Sequence, residues 1–498
     1  MNPKSVLFIV MDQFRADLLF GALADTVDLP NIRALMQDSV SFRNHWTVTV
    51  PCGPARASLL TGQYAMNHRS VRNGTPLDHT ITNIPREMRK AGYAPMLFGY
   101  TDTPGDPRVY DPNDPQLRSY ERPMAEFDEK VEMRLDESFP WRGHLAARGY
   151  DLPPYSKFYE PNGPDLDSPA FYAKEDSDTA FLTDECLKLL TAMKGEHWFA
   201  HLTYIRPHPP FVAPEPYNRL YKGKNIPSPC PIDADIAEHP FLRDALHRYT
   251  MAKTVKGQPD LAETPETAQT IRQIYLGLAS EVDHHIGRMI RFLKESGQYD
   301  STLIVLCADH GEMLGDHESW GKSTIFDAAH RIPLIVRDPD IDAAGRVIDV
   351  PTESIDVFPT LLEFAGLEHP TSLDGRSLYP LMRGDDAGDW RDYTYSELEF
   401  PQLSAPDRAE ICAQMPLEHR NAAILREADL TLVHFNGGLP ALLFDHRAKG
   451  EAQNLANDPA YAGDVLRLTR KMLNHRMTHA NSTLSSFGIT SDGPVREK

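Results

Sequence analysis

Two runs, SVLFIVMD (5 to 12) and STLIVLCAD (301 to 309), are apolar at nearly every position, and each ends in an aspartate. Hydrophobicity that does not alternate suits a strand covered on both faces, the usual state of strands in a parallel sheet. APMLFGY (94 to 100), HWFAHLTYI (197 to 205) and RIPLIVRD (331 to 338) read the same way. From Ile271 onward, Ile274, Tyr275, Leu278, Val282, Ile286, Met289, Ile290 and Leu293 step by threes and fours, which predicts one long helix with an apolar face. Alternating strands and helices predict a layered α/β core with a large, mostly parallel sheet. In such sheets ligands gather beyond the carboxyl ends of the strands, where Asp12 and Asp309 stand.

Residues 101–178 and 206–263 are rich in proline and charge and read as insertions that wall a pocket. After about residue 385 the pattern changes. AILREADLTLVHF and ALLFDHRAKGEAQNLANDP predict short antiparallel strands and a turn, followed by a helix over 462–480. The expected organisation is a catalytic unit over 1–384 and a small α+β unit with a tail over 385–498. The tail SSFGITSDGPVREK reads as an extended segment or interface arm.

Composition narrows the partners. The 498 residues, 41% hydrophobic, can bury a large core. With 51 basic and 71 acidic residues the formal charge is -20, which disfavours nucleic acid and anionic membrane surfaces, so an anionic substrate must be drawn by a local site. The first apolar run is too short to span a membrane and lacks a secretory cleavage pattern. Cys52, Cys186, Cys230, Cys307 and Cys412 are odd in number and widely spaced, with no CxxC pair, which predicts a cytoplasmic protein.

Cys186 and Cys307 lie on apolar segments and read as buried hydrophobes. Cys52 does not. In TVTVPCGPARASLLTG (47 to 62) it follows a proline and stands at the mouth of a predicted helix, where unpaired N–H groups favour an anion. A thiolate nucleophile is one reading of such a position. Asp12 and Gln13 in MDQF, with Asp309 and His310 in ADHGEMLGDH, bring two carboxylates, an amide oxygen and an imidazole to strand ends. That donor set suits Mn²⁺ or Ca²⁺, with Zn²⁺ less favoured for want of thiolates. Singly, Asp12 reads more commonly as a helix cap, and His310 reads as a satisfied core histidine.

The stretch CGPARASLLTG resembles the sulfatase signature C-x-P-x-R, and with both strand-end pairs the chain resembles the alkaline phosphatase and sulfatase superfamily along nearly its whole length. MDQFRADLL, VPCGPARASLLTG, YIRPHPPF and DHGEMLGDH followed by GK are similar to the phosphonate monoester hydrolase and phosphodiesterase branch. The resemblance implies an alkaline-phosphatase-like sandwich with a small C-terminal antiparallel sheet. It implies that Cys52 is oxidised to formylglycine by a formylglycine-generating enzyme that reads Pro54 and Arg56. One hydroxyl of the hydrated aldehyde would attack phosphorus or sulfur, and the other would release the product oxyanion. Arg56 would hold that diol, and one divalent metal would sit on Asp12, Gln13, Cys52, Asp309 and His310. Asn73, Tyr100, His208 and Lys322 would contact substrate, with His208 or Lys322 assisting departure of the alcohol.

One position departs from that branch: GYTDTPGD places Asp102 where a threonine is expected, so either Thr101 or Thr103 replaces it or Asp102 meets a cationic part of the substrate. DHHIG (283 to 287) reads as polar helix surface and DPNDPQ as an acidic loop without calcium spacing. The expected function is metal-dependent hydrolysis of small anionic phosphonate monoesters and phosphodiesters, with promiscuous sulfate monoester cleavage, by a homo-oligomer such as a tetramer. The alternatives are an aryl or alkyl sulfatase, including one for a cationic alcohol, and a noncatalytic binding protein with unmodified Cys52.

Overall fold

In the computed structural model, described over residues 4–135, 137–342, 345–385, 388–400, 415–481, 485, 487–491 and 493–496, an eight-stranded sheet forms the centre. Its strands are β1 (Ser5–Met11), β2 (Val40–Phe42), β4 (Pro95–Gly99), β5 (Asp128–Glu132), β6 (Phe199–Tyr204), β7 (Thr302–Ala308), β8 (Leu334–Arg337) and β9 (Val347–Ile348), in the order β5-β4-β6-β1-β7-β8-β2-β9. A short parallel ribbon, β3 (His45–Trp46) with β10 (Thr352–Glu353), lies apart from it. The five predicted strands are all present. β8, however, runs antiparallel to β7, and β2 antiparallel to β8. No long crossover helix lies between Ala308 and Leu334, so the chain turns back beside β7.

Successive side chains of β1 explain its unbroken hydrophobicity. Leu7, Ile9 and Met11 join the core on one face, while Val6, Phe8 and Val10 join the core on the other. The first face is covered by α3 (Asp178–Ala192) and α4 (Pro265–Glu295), the second by α2 (Cys52–Thr61) and α5 (Val357–Phe364). Full burial of each such aliphatic side chain contributes roughly 1.5–3 kcal/mol. The core therefore fixes where β1 ends.

DHHIG on α4 departs from the polar-surface reading. Asp283 is buried and accepts from the Asn31 and Ile32 N–H groups at 3.2 and 2.7 Å, at the start of α1 (Pro30–Gln37). His285 is buried too, whereas His284 is exposed. DPNDPQ is a local turn in which Asp111 and Asp114 accept from the Asn113 and Gln116 N–H groups.

A second sheet, β11 (Thr394–Glu399), β12 (Asn421–Arg426), β13 (Leu430–Phe435) and β14 (Leu442–Asp445), is an antiparallel meander. One face packs Leu398, Ile424, Val433 and Phe444 against Met313 and Phe326, which follow β7 in the chain. The other packs Leu425, Leu432 and Leu443 against Leu468 and Met472 of α6 (Ala462–Thr478). The small sheet thus braces the loop that follows Asp309. The hairpin β15 (Phe487–Thr490) and β16 (Gly493–Arg496) lies in the tail; Cys412 falls outside the described residues.

Candidate active site

β1 and β7 are parallel neighbours with Met11 opposite Ala308, so Asp12 and Asp309 leave the sheet side by side. β6 flanks β1 on the other side, with Tyr204 opposite Met11. The site is built from the carboxyl ends of β1, β4, β6 and β7 together with the start of α2. Gly99, last in β4, has φ 114°, and a Cβ there would stand 2.6 Å from the Thr203 carbonyl oxygen. Only glycine lets β4 approach β6 so closely and deliver Tyr100 to the site.

Residue 52 is the first residue of α2. Its Sγ lies 3.1 Å from His310 Nε2 and 4.0 Å from Asp12 Oδ1. The Gly53 N–H donates to Asn73 Oδ1 at 2.9 Å, so Asn73 orients the helix mouth. A side chain at Gly53 would meet Asn73 Oδ1 at 3.0 Å and the Asp102 carbonyl at 3.2 Å. Burial, reinforced by Asp12, pushes the Cys52 thiol well above its ordinary pKa, which opposes the thiolate reading.

Arg56 is wholly buried and spans the two strand ends. Nε donates to Asp309 Oδ2 at 2.9 Å, Nη2 to Asp12 Oδ2 at 3.1 Å, and Nη1 to Thr203 Oγ1 at 2.7 Å and the Tyr100 carbonyl at 3.2 Å. The Tyr100 hydroxyl donates to Asp12 Oδ2. Four of the five guanidinium N–H groups are therefore spent on the frame around the carboxylates.

His310 Nδ1–H donates to the Gly311 carbonyl at 3.0 Å, which leaves the Nε2 lone pair facing residue 52. Donor atoms of Asp12, Cys52, Asp309 and His310 all lie within 4.8 Å of one another, and all four residues are buried. Gln13, next in sequence to Asp12, accepts through Oε1 from Lys322 Nζ at 2.6 Å. Two carboxylates, an imidazole and residue 52 around one point fit a divalent cation. A second group, Asp78, His79 and Asp106, is occupied by Arg108 and reads as an ion-pair cluster.

Lys322 Nζ is also 2.8 Å from His208 Nε2, while His208 Nδ1 meets the Pro209 carbonyl. Burial and then Lys322 push the His208 ring down to about 3, so it is neutral. Burial works against the Lys322 ammonium, but Cys52, Asp12, Asp309 and Glu312 outweigh it and raise its pKa. Asp102 has φ 51° and places Oδ2 4.0 Å from Arg56 Nε. Thr101 Oγ1 accepts from Met124 N–H at 2.6 Å, and Thr103 Oγ1 donates to the Thr101 carbonyl at 3.1 Å. Both hydroxyls are bound into their own loop, so neither replaces the expected threonine; Asp102 itself faces the site.

Asp12, Gln13, Cys52, Arg56, Tyr100, Asp102, His208, Asp309, His310 and Lys322 thus join one network, and Asn73 joins it through Gly53. Reading by sequence missed the groups that hold it. Tyr275 donates to the Gln13 carbonyl at 2.9 Å and accepts from Arg15 N–H at 3.1 Å, yet its place on the apolar stripe of α4 reads as packing. Thr203, Arg206 and Glu312 likewise sit in or beside motifs without distinct spacing.

A helix-mouth Cys-x-Pro-x-Arg facing carboxylates at the ends of parallel strands defines a hydrolase of the alkaline phosphatase type. The family model described as Sulfatase matches residues 4–367, and the chain belongs to that family. A second model, N-sulphoglucosamine sulphohydrolase, C-terminal, matches residues 315–478. The fold is similar to that of a phosphonate monoester hydrolase from Silicibacter pomeroyi, with TM-score 0.96 and 55% identity over 99% of each chain. The phosphonate monoester hydrolase of Agrobacterium radiobacter gives TM-score 0.94 and 38% identity over 99% of this chain and 100% of that one. The multifunctional alkaline phosphatase superfamily protein PehA of Trinickia caryophylli is 37% identical over 99% of both.

Proposed function

We propose that the protein hydrolyses phosphonate monoesters and phosphodiesters, with sulfate monoesters as further substrates, through residue 52 after its conversion to formylglycine. The observation that carries this reading is the seat of Cys52: at a helix mouth, 3.1 Å from a histidine nitrogen and beside Asp12 and Asp309. The two phosphonate monoester hydrolases of similar structure support the substrate class.

Held by Asp12, Gln13, Asp309, His310 and residue 52, a divalent ion would supply positive charge for the ester's non-bridging oxygen and make a neighbouring hydroxyl a better nucleophile. Hydrated formylglycine would supply that hydroxyl; loss of the proton from the second one on the same carbon would break the carbon–oxygen bond to the product, freeing the oxyanion and leaving the aldehyde, which water then rehydrates. Arg56 keeps Asp12 and Asp309 in place while charge moves between them and the substrate. The Lys322–His208 pair holds the proton for the leaving oxygen: Lys322 carries it, and the neutral His208 ring, its Nδ1 bonded to the Pro209 carbonyl, presents Nε2 to it. Asn73 fixes the helix mouth, and Tyr100 fixes Asp12.

A second reading, a sulfatase for the ester of a cationic alcohol, draws on Asp102, whose buried carboxyl faces the site in place of a hydroxyl. Fully modified, metal-analysed protein assayed on phenylphosphonate monoester, bis-nitrophenyl phosphate, nitrophenyl sulfate and a quaternary-ammonium alkyl sulfate decides between them. Highest kcat/KM on the phosphonate ester supports the first reading, and highest kcat/KM on the ammonium sulfate the second.

The favoured ion is Mn²⁺ or Ca²⁺, then Zn²⁺, which metal analysis of purified protein checks. Because Cys52 and Arg56 are buried, the formylglycine-generating enzyme would act before folding is complete. The cytoplasm is the proposed compartment, consistent with the unpaired thiols of Cys52, Cys186, Cys230 and Cys307, and cell fractionation tests it. Among the described residues no helix is long and apolar enough to cross a membrane. A homo-oligomer, a tetramer in the simplest case, would cover Ile489 and Val495, which the tail hairpin exposes; light scattering tests it. Residues 1–384 and 385–498 would serve as catalytic unit and bracing unit.

A further inference from the structure

We propose that Glu312 is a positioning residue that turns the amide oxygen of Gln13, rather than its nitrogen, toward the metal donors. The inference rests on the metal reading above. Gln13 sits at φ 66°, its backbone held by Tyr275 and by Asp309 Oδ1, which accepts from the Gln13 N–H at 3.1 Å. The backbone is thus fixed, but an amide can still present either end. Oxygen and nitrogen have nearly the same shape, so only the neighbours decide.

Glu312 is fully buried. Oε1 accepts from Leu314 N–H at 2.8 Å and from Gly321 N–H at 2.7 Å, and Oε2 accepts from Gln13 Nε2. A carboxylate bonded in this way offers only acceptors to the amide, so the NH₂ end must face it. The oxygen is left at the opposite end, where Lys322 Nζ donates to it at 2.6 Å. Lys322 in turn lies in the field of the Asp12 and Asp309 carboxylates. An anion on one side and a cation on the other select the same orientation, so the amide reaches the donor set already aligned. The same carboxylate holds Gly321 and hence the segment that carries Lys322.

The test exchanges donors and acceptors while keeping shape. In Glu312→Gln the new side chain can still accept from Leu314 and Gly321 through its oxygen, but its NH₂ then faces Gln13. Gln13 must turn its oxygen to that NH₂ and its own NH₂ toward the cation site. Mn²⁺ binding to each protein, with residue 52 in the same chemical state, is measured by titration calorimetry, and the metal content is measured after dialysis. The single variant is expected to lose about tenfold or more in Mn²⁺ affinity. Combining it with Gln13→Glu restores a complementary pair, and that double variant is expected to bind within about threefold of the parent or more tightly.

A folded Glu312→Gln protein with parental affinity would overturn the proposal. So would a double variant that folds no better or binds no better than the single one, and the double variant alone carries the test if the single one does not fold. If the parent itself binds no Mn²⁺, Ca²⁺ or Zn²⁺, it is the metal reading that fails, which is a different result from equal binding by parent and variant.

Discussion

Arg206 is tied to the loop that bears His208: its Nη1 donates to the His208 carbonyl at 3.1 Å and to the Pro210 carbonyl at 3.0 Å. Nε is fixed on Asp178 Oδ2 at 3.0 Å, and the guanidinium lies 4.9 Å from the Tyr159 ring centre. Lysine cannot reproduce this fork. For Arg206→Lys, the loss in kcat is expected to be about tenfold greater with a phenyl or alkyl leaving group than with nitrophenol, which needs little proton assistance. His208→Ala sets the limit of that effect. Equal losses on all leaving groups would reduce Arg206 to a structural role.

Stability should fall with pH through one carboxyl. Burial, with Asp178 adding to it against Ser177 and Arg206, pushes Glu281 up to about 8 from 4.5. Below 4.5 both folded and unfolded chains hold the proton. Between 4.5 and about 8 only the folded chain keeps it, so stability declines across that window and levels off above it. Glu281→Gln removes the slope. Thermal midpoints of the two proteins should lie close at about pH 5 and diverge toward about pH 8, with the variant higher.

Asp102 predicts a pH effect on substrate recognition. Burial, with Glu121, Asp12 and Asp309 adding to it against Arg56, pushes its carboxyl well above the ordinary range. As pH rises through that value a negative charge appears in the site and repels an anionic ester. Asp102→Asn should flatten the fall of kcat/KM at high pH for the phosphonate ester, while weakening turnover of any cationic sulfate. Profiles of both substrates, parent against variant, check this.

The sheet was legible because its strands are covered on both faces and leave a compositional trace; Val6 to Met11 could scarcely be anything else. The reversed direction of β8 left none, since a buried strand reads alike in either sense. The convergence of Cys52, Asp309 and His310 was legible through motif context. Glu312 and Arg206 were not, because each acts through backbone groups and amides brought near by the fold. Asp283 shows the same limit: it caps α1 from α4, across 252 residues of sequence for its bond to Asn31. The tail reads from sequence as an extended segment or arm, and its hairpin exposes Ile489, an apolar side chain that such an arm would bury.

The central claim is that residue 52 acts as an aldehyde and not as a thiol. The most direct measurement is peptide mass spectrometry across Cys52 on preparations made with and without a coexpressed formylglycine-generating enzyme, each assayed on the phosphonate ester. Conversion removes about 18 Da. The account predicts that kcat rises in proportion to the converted fraction and vanishes as that fraction approaches zero. Full turnover by protein whose residue 52 retains the mass of cysteine would contradict it.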